Sequence, residues 1–174
     1  MRLFRRKEAI RAPVAEKRVL ILLDWENLEI NLLRVPPCQY TVEKWLIRLK
    51  DQIVADFGEI VDIYVFGSEM FLHRWKEPFT RLGFVLMPTP PSIKKNGTEP
   101  EPNLTDHYMI KRGGKLLDLK GLTHLVIGSG DQHFLPLINE AKNRGLGVIV
   151  VVGSKDSLSA EIRRRADKIY YLPL

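Results

Sequence analysis

Cysteine is nearly absent from this chain. Cys38 stands alone, so neither an internal disulfide nor a cysteine-based zinc site can form. Long apolar runs are missing too: those around Leu20 and Ile149 are strand-length, well short of the roughly 20 residues that cross a bilayer as a helix. The basic start reaches Arg11 without an uninterrupted apolar core, which argues against a secretory signal. It is Arg-rich yet lacks serine, a poor match to an organelle transit peptide. The expected setting is the cytoplasm, with no membrane partner. Acidic residues are scarce in the first 18 positions, where Arg2, Arg5, Arg6, Lys7, Arg11, Lys17 and Arg18 face only Glu8 and Glu16. That surplus of five leaves the rest of the chain almost neutral within a net charge of +6. Residues 1–17 are expected to form a basic tail, either a solvated end or an arm that collects on nucleic-acid phosphates.

What is present is alternation. Arg18 to Leu23 is a continuous apolar run of the kind that a strand buried on both faces shows. Leu28 to Leu33 reads as a short helix that stops before Pro36-Pro37. Thr41 to Phe57 carries Val42, Trp45, Leu46, Leu49, Ile53, Val54 and Phe57 on one helical face, with Thr41 as N-cap and Gly58 as stop. Ile60 to Phe66 and Phe84 to Met87 read as strands around a helical stretch, Glu69 to Leu82, disturbed at Pro78. After the proline-rich stretch Pro88 to Pro102 comes a helix from Leu104 to Arg112, expected to break at Gly113-Gly114, with Lys115 to Leu119 as a candidate continuation. His124 to Gly128 and Val148 to Val152 are further strands, with a helix from Gln132 to Arg144 between them. Ala160 to Ala166 is a last helix, and Lys168 to Leu172 a short edge strand. Such alternation predicts one α/β domain over residues 18–174, a parallel sheet between two helical layers.

Three aspartates stand out against this background. Asp24 and Asp131 follow strands, in RVLILLDWEN and HLVIGSGDQHF, and Asp106 opens a helix in NLTDHYMIKR. In a parallel sheet the carboxyl ends of neighbouring strands face one crevice. Carboxylates meeting there repel one another unless a cation lies between them. Oxygen-only ligation selects a hard ion such as Mg²⁺ or Mn²⁺, whose usual partner is a phosphate. Each aspartate also has a plainer reading, as a helix cap or as a complement to the helix dipole. Gly128-Ser129-Gly130 does not extend to a dinucleotide fingerprint, because His133 stands where its third glycine would be. No other phosphate-cradling loop is visible, which removes a nucleotide-binding switch from consideration. His73, His107 and His124 show no metal-ligand spacing, and Arg163-Arg164-Arg165 reads as a solvated helix face. Trp25, beside Asp24, is either a base-stacking surface or a core residue.

These motifs together resemble the NYN domain family, a branch of the PIN-like metal-dependent ribonucleases that includes the bacterial LabA-like group. The opening strand ends in Asp-x-x-Asn, here Asp24 and Asn27. A mid-chain Asp begins a helix, here Asp106, and a Ser-Gly-Asp follows the fourth strand, here Ser129, Gly130 and Asp131. Phe134, Pro136 and Leu137 fit as well, and Ser159, Ala166 and Asp167 match the end of the pattern. The resemblance implies a three-layer, Rossmann-like fold and hydrolysis of RNA, expected to be single-stranded. It implies catalysis by Asp24, Asn27, Asp106 and Asp131, with Mg²⁺ or Mn²⁺ on the three aspartates. Substrate contacts are expected from Asn27, Ser129 and Ser159, and from Arg112 and His133 read on their own chemistry, Arg112 as a phosphate grip and His133 as a ligand, a base or, preferred, an outer-shell or packed histidine. Two departures are visible: Arg112 stands where family members often carry a further Asp, and His133 replaces the second Asp of Ser-Gly-Asp-Ser-Asp-Phe. They leave open a second class, a catalytically weak RNA-binding or regulatory module, which a pairing of Arg112 with Asp106 would favour. The oligomeric state is open, a homodimer included.

Overall fold

The computed structural model describes residues 17–32, 41–89 and 104–172. Six strands form one sheet, β1 (Arg18–Asp24), β2 (Glu59–Ser68), β3 (Val85–Thr89), β4 (His124–Gly128), β5 (Gly147–Val152) and β6 (Lys168–Tyr171), in the order β3-β2-β1-β4-β5-β6. Every neighbouring pair is parallel. The helices are α1 (Trp25–Leu32), α2 (Val42–Phe57), α3 (Glu69–Arg74), α4 (Lys76–Arg81), α5 (Leu104–Leu116), α6 (Leu135–Asn143) and α7 (Ala160–Arg165). The expected three-layer α/β architecture is what the chain adopts.

Strand β1 shows why. Its side chains alternate between two separate cores: Val19, Ile21 and Leu23 pack with Trp45, Leu46, Leu49 and Ile53 of α2. Leu20 and Leu22 pack with Met109 of α5 and with Leu137 and Ile138 of α6. A strand apolar at every position can only be stable with a helical layer on each face. Thr41 caps α2 by accepting from the Lys44 amide, and Gly58, at φ 93°, takes the left-handed turn that ends it.

Four expectations about elements are corrected. Helix α5 does not break at Gly113-Gly114 but runs on to Leu116. Gly113 is buried, and a Cβ there would come within 2.9 Å of both Leu22 Cδ1 and Leu137 Cδ2, so the glycine lets α5 approach β1 and α6 closely. The helical stretch from Glu69 divides at Trp75 rather than at Pro78. A proline ring clashes with the carbonyl four residues earlier, here that of Arg74, so α3 must end there while Pro78 sits harmlessly in the first turn of α4. Finally, α1 begins at Trp25, directly after the strand, and a single 3₁₀ turn over Gln132–Phe134 precedes α6. The proline-rich stretch lies outside the described residues, except that Pro88 and Thr89 belong to β3. No described helix is long and apolar enough to cross a membrane.

Candidate active site

The strand order reverses direction between β1 and β4, the two central strands that pair Leu23 with Gly128. At such a switch point the following loops part and leave a crevice at the carboxyl edge of the sheet. Asp24 ends β1 there, and Ser129-Gly130-Asp131 leaves β4 beside it. Two glycines make the approach possible. A Cβ on Gly128 would lie 2.6 Å from Leu23 Cδ2, and one on Gly130 would lie 1.9 Å from the Ser157 carbonyl oxygen. Close packing, not phosphate binding, explains this pair.

Asp24 is only 4 % exposed. Its Oδ1 accepts from the Asn27 amide at 3.3 Å, and the Ser129 hydroxyl donates to the same carboxylate. Burial, reinforced by the charge of Asp106, nevertheless pushes its carboxyl up to about 7 from an ordinary 3.8. Asp106, in the first turn of α5, is nearly buried, and burial followed by the charge of Asp131 raises its pKa too, against His133 and His107. Asp131 caps the 3₁₀ turn by accepting from the His133 amide at 2.9 Å. The capping reading is therefore correct for Asp24 and Asp131 as far as it goes, but it leaves their charges uncompensated. Among the described residues no lysine or arginine pairs with any of the three aspartates. The imidazole of His133 does meet two of them: Nδ1 lies 3.2 Å from Asp106 Oδ2 and 3.1 Å from Asp131 Oδ1.

The remaining predicted site residues divide. Asn27 belongs to the crevice, and its side-chain Oδ1 is buried without a hydrogen-bond partner. A buried acceptor left unpaired costs about 1–3 kcal/mol unless something absent from the protein fills its place. Ser129 is fully buried, and its hydroxyl serves Asp24 and the Asp131 amide, so it positions the carboxylates and has no open face for substrate. Arg112 rests on the Tyr108 ring, 6.0 Å from its centroid, and no ion pair joins it to Asp106. Ser159 caps α7 through the Ile162 amide. Asp167 takes the Val148 amide at the start of β5 and pairs with Lys142, at the sheet edge opposite the crevice. Trp25 is fully buried against Trp75 and Phe79, which settles it as a core residue.

Sequence reasoning missed the residues that brace the crevice. Glu26 Oε1 accepts from the Ser68 amide at 2.6 Å and ties α1 to the end of β2. Thr89 donates to Thr105 at 3.0 Å in a buried contact that fastens the end of β3 to the start of α5. No spacing rule links residues so far apart along the chain. Glu29, 2 % exposed, accepts from Arg74 and from the Trp75 indole, and holds α1 to α3.

Asp24, buried and acted on by the charge of Asp106, and the carboxylates of Asp106 and Asp131 beside the His133 imidazole, with no lysine or arginine paired to them among the described residues, are donors of the kind a divalent cation takes. Asp106, Asp131 and His133 also place one ligand atom each within 4.8 Å of one another.

Comparison with known proteins agrees with this architecture. A protein of unknown function from Vibrio parahaemolyticus has the same fold at 16% identity, with a TM-score of 0.67 over 91% of this chain and 94% of that one. MurG of Acinetobacter baumannii matches at 10% identity and a TM-score of 0.50, over 89% of this chain but 41% of its own. No curated protein matches the chain. The NYN domain model matches residues 18–173, the strand ends and the crevice included, and the chain therefore belongs to the NYN domain family, with its PIN-like nuclease fold.

Proposed function

We propose that the protein is a metal-dependent ribonuclease that hydrolyses phosphodiester bonds of single-stranded RNA. The observation that carries this reading is the cluster of Asp106, Asp131 and His133, with Asp24 near enough to Asp106 for their charges to act on each other, and with no lysine or arginine among the described residues paired to the three carboxylates. Family membership supports it, since NYN domains share the fold of the PIN-like nucleases. Asp24, Asp106 and Asp131 would hold Mg²⁺ or Mn²⁺, directly or through water, and the ion would supply Lewis acidity at a scissile phosphate. Ser129 keeps Asp24 aimed into the crevice, and Asn27 Oδ1 offers an acceptor to a substrate group or a bound water. The exposed Arg112, six residues beyond Asp106 on α5, would meet backbone phosphate.

The test is cleavage of labelled single-stranded RNA by the purified protein with Mn²⁺, Mg²⁺ or a chelator. Cleavage should require the metal, and Asp24→Asn and Asp131→Asn should each abolish it while the fold is retained. An amide keeps the shape and capping role of the carboxylate but not its charge, so unchanged cleavage in both variants would show that the aspartates only cap. A regulatory RNA-binding module is the second reading, favoured by His133 where a further carboxylate would strengthen the site. RNA binding without metal-dependent cleavage would establish that reading instead.

A further inference from the structure

His133 is the feature of the crevice that the family pattern does not supply. Its Nδ1 lies 3.1 Å from Asp131 Oδ1 and 3.2 Å from Asp106 Oδ2, on the turn that Asp131 itself caps. Two atoms bound to one ion at about 2.1 Å lie roughly 3.0–3.4 Å apart when they are adjacent ligands in octahedral or tetrahedral geometry. The imidazole nitrogen thus stands at ligand spacing from both carboxylates, and the side chain is held from both ends: its amide is tied to Asp131, and its ring to Asp106. We propose that His133, Asp106 and Asp131 form a mixed nitrogen–oxygen pocket that selects a first-row transition-metal ion over Mg²⁺. The inference rests on the cation site of the preceding reading and narrows the class of ion it takes.

The chemistry follows from ligand type. Mg²⁺ is small and hard, prefers oxygen and sheds water reluctantly, so replacing a carboxylate by a neutral imidazole weakens its hold. Imidazole favours the borderline ions, and the affinity of a given donor set rises from Mn²⁺ towards Co²⁺ and beyond. A carboxylate at position 133 would give an all-oxygen pocket with one more negative charge, which is the arrangement Mg²⁺ prefers. The His133 side chain is 46% exposed, so it can be exchanged without opening a cavity in the core.

The experiment is calorimetric titration of the full chain with Mg²⁺, Mn²⁺ and Co²⁺, with the visible absorption of the Co²⁺ form as an independent report on nitrogen ligation. The wild type should bind in the order Co²⁺, Mn²⁺, Mg²⁺. His133→Ala should weaken Co²⁺ binding by about 100-fold or more, since even an outer-shell partner is worth 10- to 100-fold in affinity. His133→Asp should narrow the gap between Co²⁺ and Mg²⁺ by at least tenfold and shift the Co²⁺ spectrum towards all-oxygen ligation. An unchanged preference and spectrum in both variants would overturn the proposal while leaving the cation site standing. Tighter binding in His133→Ala than in the wild type would also overturn it, by showing that the imidazole blocks the pocket. No binding of any of the three ions by the wild type would remove the cation site itself, and with it the nuclease reading.

Discussion

Burial puts the Asp24 carboxyl in conflict with folding at neutral pH. Its pKa rises from 3.8 to about 7 because the folded chain strips water from it and places Asp106 nearby. The folded state thus keeps a proton that the unfolded state releases, and stability falls as pH rises from about 4 through 7. Asp24→Asn accepts the same hydrogen bonds from Asn27 and Ser129 without the charge. In the absence of metal it should be more stable than the wild type at pH 8 by of order 2–4 kcal/mol, and equal to it below pH 4. Urea unfolding at the two pH values checks this, and a variant that is less stable at pH 8 would contradict the account of Asp24 as an uncompensated charge. The three aspartates were legible in the sequence because each stands at a strand end or helix start, and a parallel sheet brings such positions to one edge. The bridging position of His133, the burial of Ser129 and the Thr89–Thr105 contact were not legible. They depend on the depth of each loop and on register between distant segments, neither of which a local pattern encodes.

Among the elements, helix α5 is the place where local propensity and tertiary packing disagree. Two consecutive glycines cost a helix interior about 2 kcal/mol relative to alanines, which is why the sequence alone suggests a break. Packing overrides that preference at Gly113, which lies in the seam between α5, Leu22 of β1 and Leu137 of α6, while a Cβ on Gly114 meets nothing within 4 Å. The two positions should therefore respond in opposite directions. Gly114→Ala gains about 0.5–1 kcal/mol of helix propensity. Gly113→Ala gains the same but forces two fully buried leucine tips apart, at an overpacking cost of about 1–3 kcal/mol. Denaturant unfolding should rank Gly114→Ala above the wild type and Gly113→Ala below it, and a gain from both would mean that the seam has slack. Elsewhere the elements were legible where their pattern was strong. The apolar face of α2 with its Thr41 cap, and the runs of β1, β4 and β5, leave no competing arrangement, whereas the division of α3 from α4 turns on the steric reach of one proline.

On the scale of the whole molecule, alternation in the sequence announces a parallel sheet but not which strands lie at its centre. The order β3-β2-β1-β4-β5-β6 puts β1 and β4 side by side at the centre, and so places the crevice between their loops. The charge is distributed otherwise: a surplus of five positive charges lies in the first 18 residues, and the remaining chain, crevice included, is almost neutral within a total of +6. If RNA is the substrate, long-range attraction to it should come largely from that basic segment. Each phosphate neutralised on a single strand adds about 0.7 to the slope of log affinity against log salt, so removing Arg2, Arg5, Arg6, Lys7 and Arg11 should flatten the slope by up to about 3.5. Deleting residues 2–16 should accordingly weaken binding of single-stranded RNA at low salt and make it less sensitive to added salt. The unfolding temperature should hardly move, because this Arg- and Lys-rich segment carries little apolar surface to bury. Equal salt slopes for the full and shortened chains would show that the basic segment does not touch RNA, and would leave the crevice to bind its substrate by short-range contacts alone.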